Sequence, residues 1–285
     1  MKTNRHILRK HSATLAMIVV FAVALQLVAC AKEPMQEPAG IITMTTRASE
    51  VSFLVAGAED FVIDWGNGKK SNVNDASRSR WEEYIEYGDV FVFEHVYSET
   101  TAHKIVITGN VAILRCVGKS LTALDVSRCP ALIELWCQNN ELTSLDVTRN
   151  PALKKIFCQH NPLTALDVSK NTALEELEVG GRGNQLTILD VSNNTALIHL
   201  HIAFTQITRL DVSKNNALWN LVCRENQLSA DELNYLFRTL TIESVPPSPY
   251  IKSINIRNNP GTQDCNRSIA EEKGWTVRQD RFISW

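Results

Sequence analysis

Residues 132–152 read LIELWCQNNELTSLDVTRNPA, and residues 153–173 repeat them as LKKIFCQHNPLTALDVSKNTA. The Leu-Asp-Val within this unit recurs as Leu124-Asp125-Val126, Leu145-Asp146-Val147, Leu166-Asp167-Val168, Leu189-Asp190-Val191 and Leu210-Asp211-Val212, at intervals of 21, 21, 23 and 21 residues. Eight residues behind each first Leu stands Leu132, Leu153, Leu174, Leu197 or Leu218. Three further on comes Leu135, Ile156, Leu177, Leu200 or Leu221, and two beyond that Cys137, Cys158, Val179, Ile202 or Cys223. An Asn follows at Asn140, Asn161 and Asn226. Asn184 joins them if the two extra residues of the long copy fall within Gly180-Gly181-Arg182-Gly183. A fixed period of this length marks a solenoid, whose coils bury their apolar faces only against one another.

Counting Leu132 as position 1 of a unit, the apolar anchors fall at positions 1, 4, 6, 11, 14 and 16 and point inward. Positions 4 and 6 are two apart and share one face of a strand. Stacked coils then pair these strands about 4.8 Å apart in one parallel concave sheet. The Asn at position 9 turns the chain off that strand and can satisfy backbone groups inside the bend. Val111, Leu114, Cys116 and Leu121 lie one period before Leu132, Leu135, Cys137 and Leu142, so the array starts there. The unit L-x-x-L-x-C-x-x-N-x-L-T-x-L-D-V-S-x-N resembles the leucine-rich repeat, in the 21-residue form found on bacterial surface lipoproteins. The resemblance runs from residue 111 to about 228 and implies a right-handed, mostly β coil.

Beyond residue 228, Ser229-Ala230-Asp231-Glu232-Leu233 opens a helix with Leu233, Leu236, Phe237 and Leu240 on one side, ending before Pro246-Pro247. Ile251, Ile254, Ile256 and Asn259 refit positions 1, 4, 6 and 9, giving a seventh strand. Asp264 to Gly274 reads as a second helix. Trp275 and Val277 lie 21 residues after Ile254 and Ile256 and suggest a closing half-coil.

At the amino terminus, Lys2, Arg5, Arg9 and Lys10 precede an apolar run from Ala13 to Ala29 with the layout of a secretion signal, too short to span a bilayer comfortably. Leu27-Val28-Ala29-Cys30 resembles the lipobox of bacterial lipoproteins, which implies cleavage before Cys30 and lipidation there. Residues 1–29 hold four of the 29 basic residues and none of the 31 acidic ones. The remainder is therefore net −6, which argues against a nucleic-acid partner. Residues 30–40 read as a flexible lipidated tether.

From 41 to 109 the period vanishes. Stretches at Ile42–Thr46, Val51–Val55, Phe61–Trp65, Val90–Phe93 and Lys104–Thr108 alternate or are β-branched. Asn67-Gly68 marks a hairpin whose turn residues tolerate positive φ. Asp64-Trp65-Gly66-Asn67-Gly68, His95-Val96-Tyr97 and Ile105-Val106-Ile107 are similar to the polycystic-kidney-disease type β-sandwich, with Asn67 where Asp is usual. Such a module would cap the exposed solenoid end. Asp64 and His95 read as turn and strand-edge residues rather than a metal or catalytic pair. The organisation is thus 1–29 signal, 30–40 tether, 41–109 β module, 110–228 repeats and 229–285 cap.

Six cysteines follow Cys30. Cys116, Cys137, Cys158 and Cys223 occupy the inward slot that Val179 and Ile202 fill elsewhere, so buried free thiols are favoured over disulfides or zinc; Cys129 and Cys265 complete the count. The five aspartates form a second ladder. Arg128, Arg149, Lys170 and Lys214 stand three residues beyond four of them, favouring a charge-compensated solvated row over calcium.

Positions 3, 5 and 7 of each strand face outward on the concave side. Trp136 and Phe157 are two large rings on adjacent strands, read here as solvent-facing and hence as recognition residues. Lys155, Glu176, Glu178, His199, His201 and Arg224 complete the candidate binding face. His199 and His201 with Glu176 and Glu178 could bind a metal, but solvated polar side chains are the preferred reading, so no metal or cofactor is expected. No nucleophile with a paired base and no phosphate-cradling loop appears, and the chain reads as a non-enzymatic, monomeric binding module. The resemblance implies adhesion or host-protein binding at the outer membrane, facing outward or the periplasm, with an extracellular protein or glycan as ligand. The alternative is a structural scaffold packed against other envelope components.

Overall fold

A computed structural model describes residues 40–57, 60–79, 89–99, 101–242, 245–247 and 249–279. The expected signal segment, lipidation site at Cys30 and tether to residue 39 lie outside the described residues. No helix among the described residues is long and apolar enough to cross a membrane.

The repeats form a β-solenoid. Its concave strands are β8 (Val111–Arg115), β10 (Glu134–Trp136), β11 (Lys155–Phe157), β12 (Glu176–Glu178), β13 (His199–His201) and β14 (Asn220–Val222), with β15 (Ser253–Asn255) and β16 (Thr276–Arg278) in the cap. They pair in parallel and in register, Leu114 beside Leu135 beside Ile156 and onward to Val277. The anchors Leu132, Leu135, Cys137, Leu142 and Val147 are fully buried and Leu145 nearly so; the same slots are closed in neighbouring coils. A one-residue slip would turn every anchor outward, which is why the register holds across coils of unequal length.

The two extra residues of the long coil fall after Gly181. Its Val179 and Gly181 amides still donate to His201 O and Ala203 O, as Cys137 and Asn139 donate to Phe157 O and Gln159 O. Position 8 adopts the left-handed conformation in coil after coil: Gly118, Asn139, His160, Gly181, Phe204, Glu225 and Asn258 all have positive φ. Only glycine takes it without steric cost, so side-chain pattern alone does not disclose it.

Asparagine carries the coil-to-coil hydrogen bonds. Asn161 donates through Nδ2 to Cys137 O (2.9 Å) and Cys158 O (3.0 Å) and accepts at Oδ1 from the Leu142 amide (3.0 Å). Asn140, Asn226 and Asn259 repeat the arrangement. A second row stands at position 19. Buried Asn150, Asn171, Asn194 and Asn215 each donate to two carbonyls of the preceding coil, as Asn171 does to Val147 O and Asn150 O. In the first coil Cys129 stands in that slot, its thiol 3.4 Å from Val111 O.

The aspartates do a different job from charge compensation. Asp125, Asp146, Asp167, Asp190 and Asp211 each accept from the backbone N–H two residues on, at 2.8–2.9 Å. Bonds to that Ser or Thr lead the causes holding four of these carboxyls below the usual range; for Asp211 the Tyr235 hydroxyl leads. The Asp builds a local turn, and the basic residue three positions on is secondary.

At the amino end, β1 (Ile41–Thr46), β2 (Glu50–Gly57), β3 (Val62–Asp64), β4 (Lys70–Asn72), β5 (Ser77–Ser79), β6 (Asp89–Val96) and β7 (His103–Thr108) make two antiparallel layers; β4 is the second arm of the Asn67-Gly68 hairpin, and β5 had no sequence signal. Both layers run on into the solenoid. β2 pairs with β8, so one sheet runs β16 to β10, then β8-β2-β6-β5; β1 pairs with β9 (Leu121–Arg128), the first Leu-Asp-Val strand. The unpaired edges of the first coil are thereby satisfied. The hairpin between β3 and β4 turns over Trp65–Lys69, and its positive φ values fall on Gly66 and Gly68 rather than Asn67. A Cβ on Gly66 would lie 2.3 Å from Lys104 O, so glycine is needed there for close approach. Asp64 accepts from the Gly66 amide, His95 bonds Asn67, and Tyr97 donates to Trp65 O.

At the carboxyl end α1 (Ala230–Thr239) is capped by Ser229, which accepts from the Glu232 amide, and it buries Leu233, Leu236 and Phe237. Three expectations fail here. Ile251 is 52% exposed rather than an inward anchor, because α1 supplies the apolar bulk at this end and the chain reaches β15 from outside the core. Ile254 pairs with Val277 rather than Trp275, because the link between the strands is two residues longer than a standard coil. Trp275 is buried instead with its indole donating to Thr241 O. The second helix, α2 (Ser268–Glu271), is far shorter than 264–274, lacking a side-chain N-cap.

The six described cysteines are free thiols, and all but half-buried Cys265 are buried. Burial pushes the Cys116, Cys158 and Cys223 thiols up to about 12. They act as small core side chains stacked coil on coil.

Candidate functional site

The concave sheet presents two rows of side chains tied to one another. At position 3, Lys155 sits between Glu134 (Nζ to Oε1, 3.4 Å) and Glu176 (3.6 Å). Glu134 also accepts from the Trp136 indole at 3.0 Å, and its side chain is only 2% exposed. Burial works against the Lys155 charge, but the flanking carboxylates outweigh it and raise its pKa. At position 5, the Arg115 guanidinium lies 4.4 Å from the Trp136 ring centre, and Trp136 stacks on Phe157 at 3.9 Å and 20°.

Trp136 and Phe157 do project from the concave side, but not equally. Trp136 is half-buried, whereas Phe157 keeps 6% of its surface, so the expectation of two solvent-facing rings is corrected for Phe157. In-register parallel strands bring successive position-5 side chains close enough to stack, and the stack covers the inner ring. Trp136 is the ring a partner can reach. The sequence did not distinguish them.

Glu176 and Glu178 part company. Glu176 belongs to the Lys155 chain. Glu178 turns to the next coil, 3.2 Å from His199 Nε2 and 3.8 Å from His201 Nδ1. Its second oxygen accepts from the Gln159 amide. Burial would raise its pKa, but the His199 ring, the imidazole charges and that amide outweigh it and hold the carboxyl below the usual range. Burial pushes His201 down to about 4, past the pull of Glu178, so its ring is neutral at physiological pH. Arg224 lies 4.5 Å above the Phe204 ring on the flank, and burial lowers its pKa. Beside Glu178 and His201, Gly180 and Ala203 place no long side chain on that flank.

No family model matches the chain, and no curated protein matches it. Solved structures do. The functional domain of InlJ from Listeria monocytogenes, described as including a cysteine ladder, is 24% identical, with 57% of this chain and 47% of that one covered and a TM-score of 0.31. A leucine-rich-repeat protein of Leptospira interrogans is 21% identical over 54% of this chain and 38% of its own, with a TM-score of 0.44. The internalin InlF of L. monocytogenes is 14% identical over 59% and 60%, with a TM-score of 0.33. The chain therefore spans less than two thirds of each of these structures. The fold is a leucine-rich-repeat solenoid. Its consensus and in-register parallel strands carry that statement from within this chain, and the leucine-rich-repeat solenoid here adds a β layer pair to its first coil.

Proposed function

We propose that this leucine-rich-repeat protein is a lipid-anchored, non-enzymatic recognition module of the cell envelope whose concave face engages an extracellular protein. The observation that carries the reading is the Arg115–Trp136–Phe157 stack beside the Glu134–Lys155–Glu176 ion-pair chain, of which Glu134 is buried. Trp and Arg are enriched where binding energy concentrates, and here their neighbours fix their orientation before a partner arrives, which lowers the ordering cost of association. Phe157 supports the platform from below, and Trp136 makes the contact. A glycan ligand is the other arm of the test.

The tests are separate for face and anchor. Immobilised chain is screened against purified extracellular proteins and glycans, and Trp136→Ser is compared with the parent after circular dichroism shows it folded. Trp136→Ser should weaken the best ligand by at least about 2 kcal/mol, roughly 30-fold. Unchanged capture by the folded variant would remove the concave platform from the reading. The anchor rests on Leu27-Val28-Ala29-Cys30 behind the basic leader. Cys30→Ala should move the protein from the membrane fraction to the soluble one, and continued membrane association refutes lipidation. The β layers at 41–109 are read as a module of the polycystic-kidney-disease type serving as the solenoid's cap.

A further inference from the structure

We propose that Glu178, His199 and His201 form a binding site for a divalent transition-metal ion of the zinc class, with its open coordination position facing the concave groove. Among the described residues these three bring their ligand atoms within 4.8 Å of one another. Glu178 bridges the two rings at 3.2 and 3.8 Å, and the rings are nearly perpendicular, at 85° with centres 6.4 Å apart. A tetrahedral zinc ion with bonds near 2.0–2.1 Å places its ligand atoms about 3.3 Å apart. Small side-chain rotations therefore convert the observed cluster into a coordination shell.

The backbone already holds the three in place. His199 and His201 share one face of β13, and His201 pairs in register with Glu178 on β12. Two imidazoles and one carboxylate suit zinc and its neighbours, and leave a fourth position open. Calcium and magnesium require shells of oxygen, which this cluster does not supply. His199 Nε2 is buried and faces Glu178 Oε1 at 3.2 Å, so the ring nitrogen and the carboxylate already point at one another. A metal ion drawn between the ring and the carboxylate replaces that contact with two coordination bonds. The Gln159 amide donates to Glu178 Oε2, the oxygen nearer His201, as outer groups orient metal-ligating carboxylates. Side-chain exposures of 20, 20 and 28% for Glu178, His199 and His201 leave the site reachable. Arg224, the cation facing His201, is drawn aside over Phe204. The metal, not the protein partner, is the subject here, so the inference stands whether or not Trp136 binds one.

The experiment uses tag-free chain in metal-free reducing buffer. Zinc is titrated calorimetrically, and cobalt(II) is added in parallel for its visible spectrum. One equivalent should bind, with a cobalt spectrum lacking thiolate charge transfer. Glu178→Gln, His199→Ala and His201→Ala should each weaken zinc by at least about 100-fold, and Gln159→Ala by about tenfold. Urea midpoints identify any variant that has lost its fold; Glu178→Gln, matched in shape, keeps the comparison secure. Zinc binding by the folded parent no tighter than by folded Glu178→Gln overturns the proposal. So does a thiolate band in the cobalt spectrum, or magnesium bound as tightly as zinc.

Discussion

Asn161→Ala should destabilise the protein by about 2–4 kcal/mol, read as a shift of the urea midpoint at unchanged slope. The side chain is fully buried and spans two coils, donating to Cys137 O and Cys158 O and accepting from the Leu142 amide. Truncation leaves Cys158 O and the Leu142 N–H buried without it, at about 1–3 kcal/mol for each unsatisfied group. Asn161→Asp, identical in shape, should do worse at neutral pH. It keeps the acceptor facing Leu142 but turns an oxygen towards two carbonyls. The buried carboxyl must stay protonated, so its pKa in the folded chain lies above its unfolded value near 4. The folded state then holds the proton that the unfolded chain releases. Its stability should fall as pH rises above about 4, by about 1.4 kcal/mol per unit until the folded pKa is passed. The Ala variant should lack this extra dependence. Equal pH profiles for the two variants would show that Asn161 acts through its volume alone.

Gly180→Ala should cost about 3–5 kcal/mol, near the top of the range for one substitution. A Cβ there would lie 1.9 Å from Ala203 O and 2.7 Å from Ala203 N, both backbone atoms of the next coil. No rotamer change relieves that contact. The coils must part by more than 1 Å to reach ordinary contact, stretching the 2.7 Å bond from the Gly181 amide to Ala203 O. Gly183→Ala is the control. No atom lies within 4 Å of its Cβ, but φ is +90°, so only backbone strain of about 1–2 kcal/mol applies. If thermal melts place the two variants together, the close approach of β12 and β13 is not what requires glycine. Because Glu178 and His201 flank this contact, Gly180→Ala should also weaken zinc.

How far the sequence reached can be judged residue by residue. The 21-residue period disclosed the coil, the inward anchors and the parallel sheet, because a coil that buries nothing alone can only stack on copies of itself. The length of the array and the inward thiols followed from the same slots, and the Ser229 cap from the helix-start residues where the repeat breaks off. The position-19 Asn row was visible as a recurring letter, yet its partners sit one coil back, about 21 residues away, where local pattern has no hold. The αL position was hidden because Asn139, His160, Phe204 and Glu225 share no side-chain chemistry.

On the concave face, spacing put Trp136, Phe157, Lys155, Glu176, Glu178, His199 and His201 at positions 3 and 5 of adjacent strands. It could not say which would touch. Whether Glu178 turns to Glu176's lysine or to the next coil's imidazoles is decided by rotamers and by what the neighbouring strand presents. Whether Phe157 meets solvent depends on Trp136 lying over it. Periodicity thus determined the scaffold of residues 111–228 by itself, since burial of identical faces admits one register, whereas in the cap the longer link after β15 moved the register to Val277. Only the tertiary structure decided the pairings across strands, because those depend on side chains that differ from coil to coil.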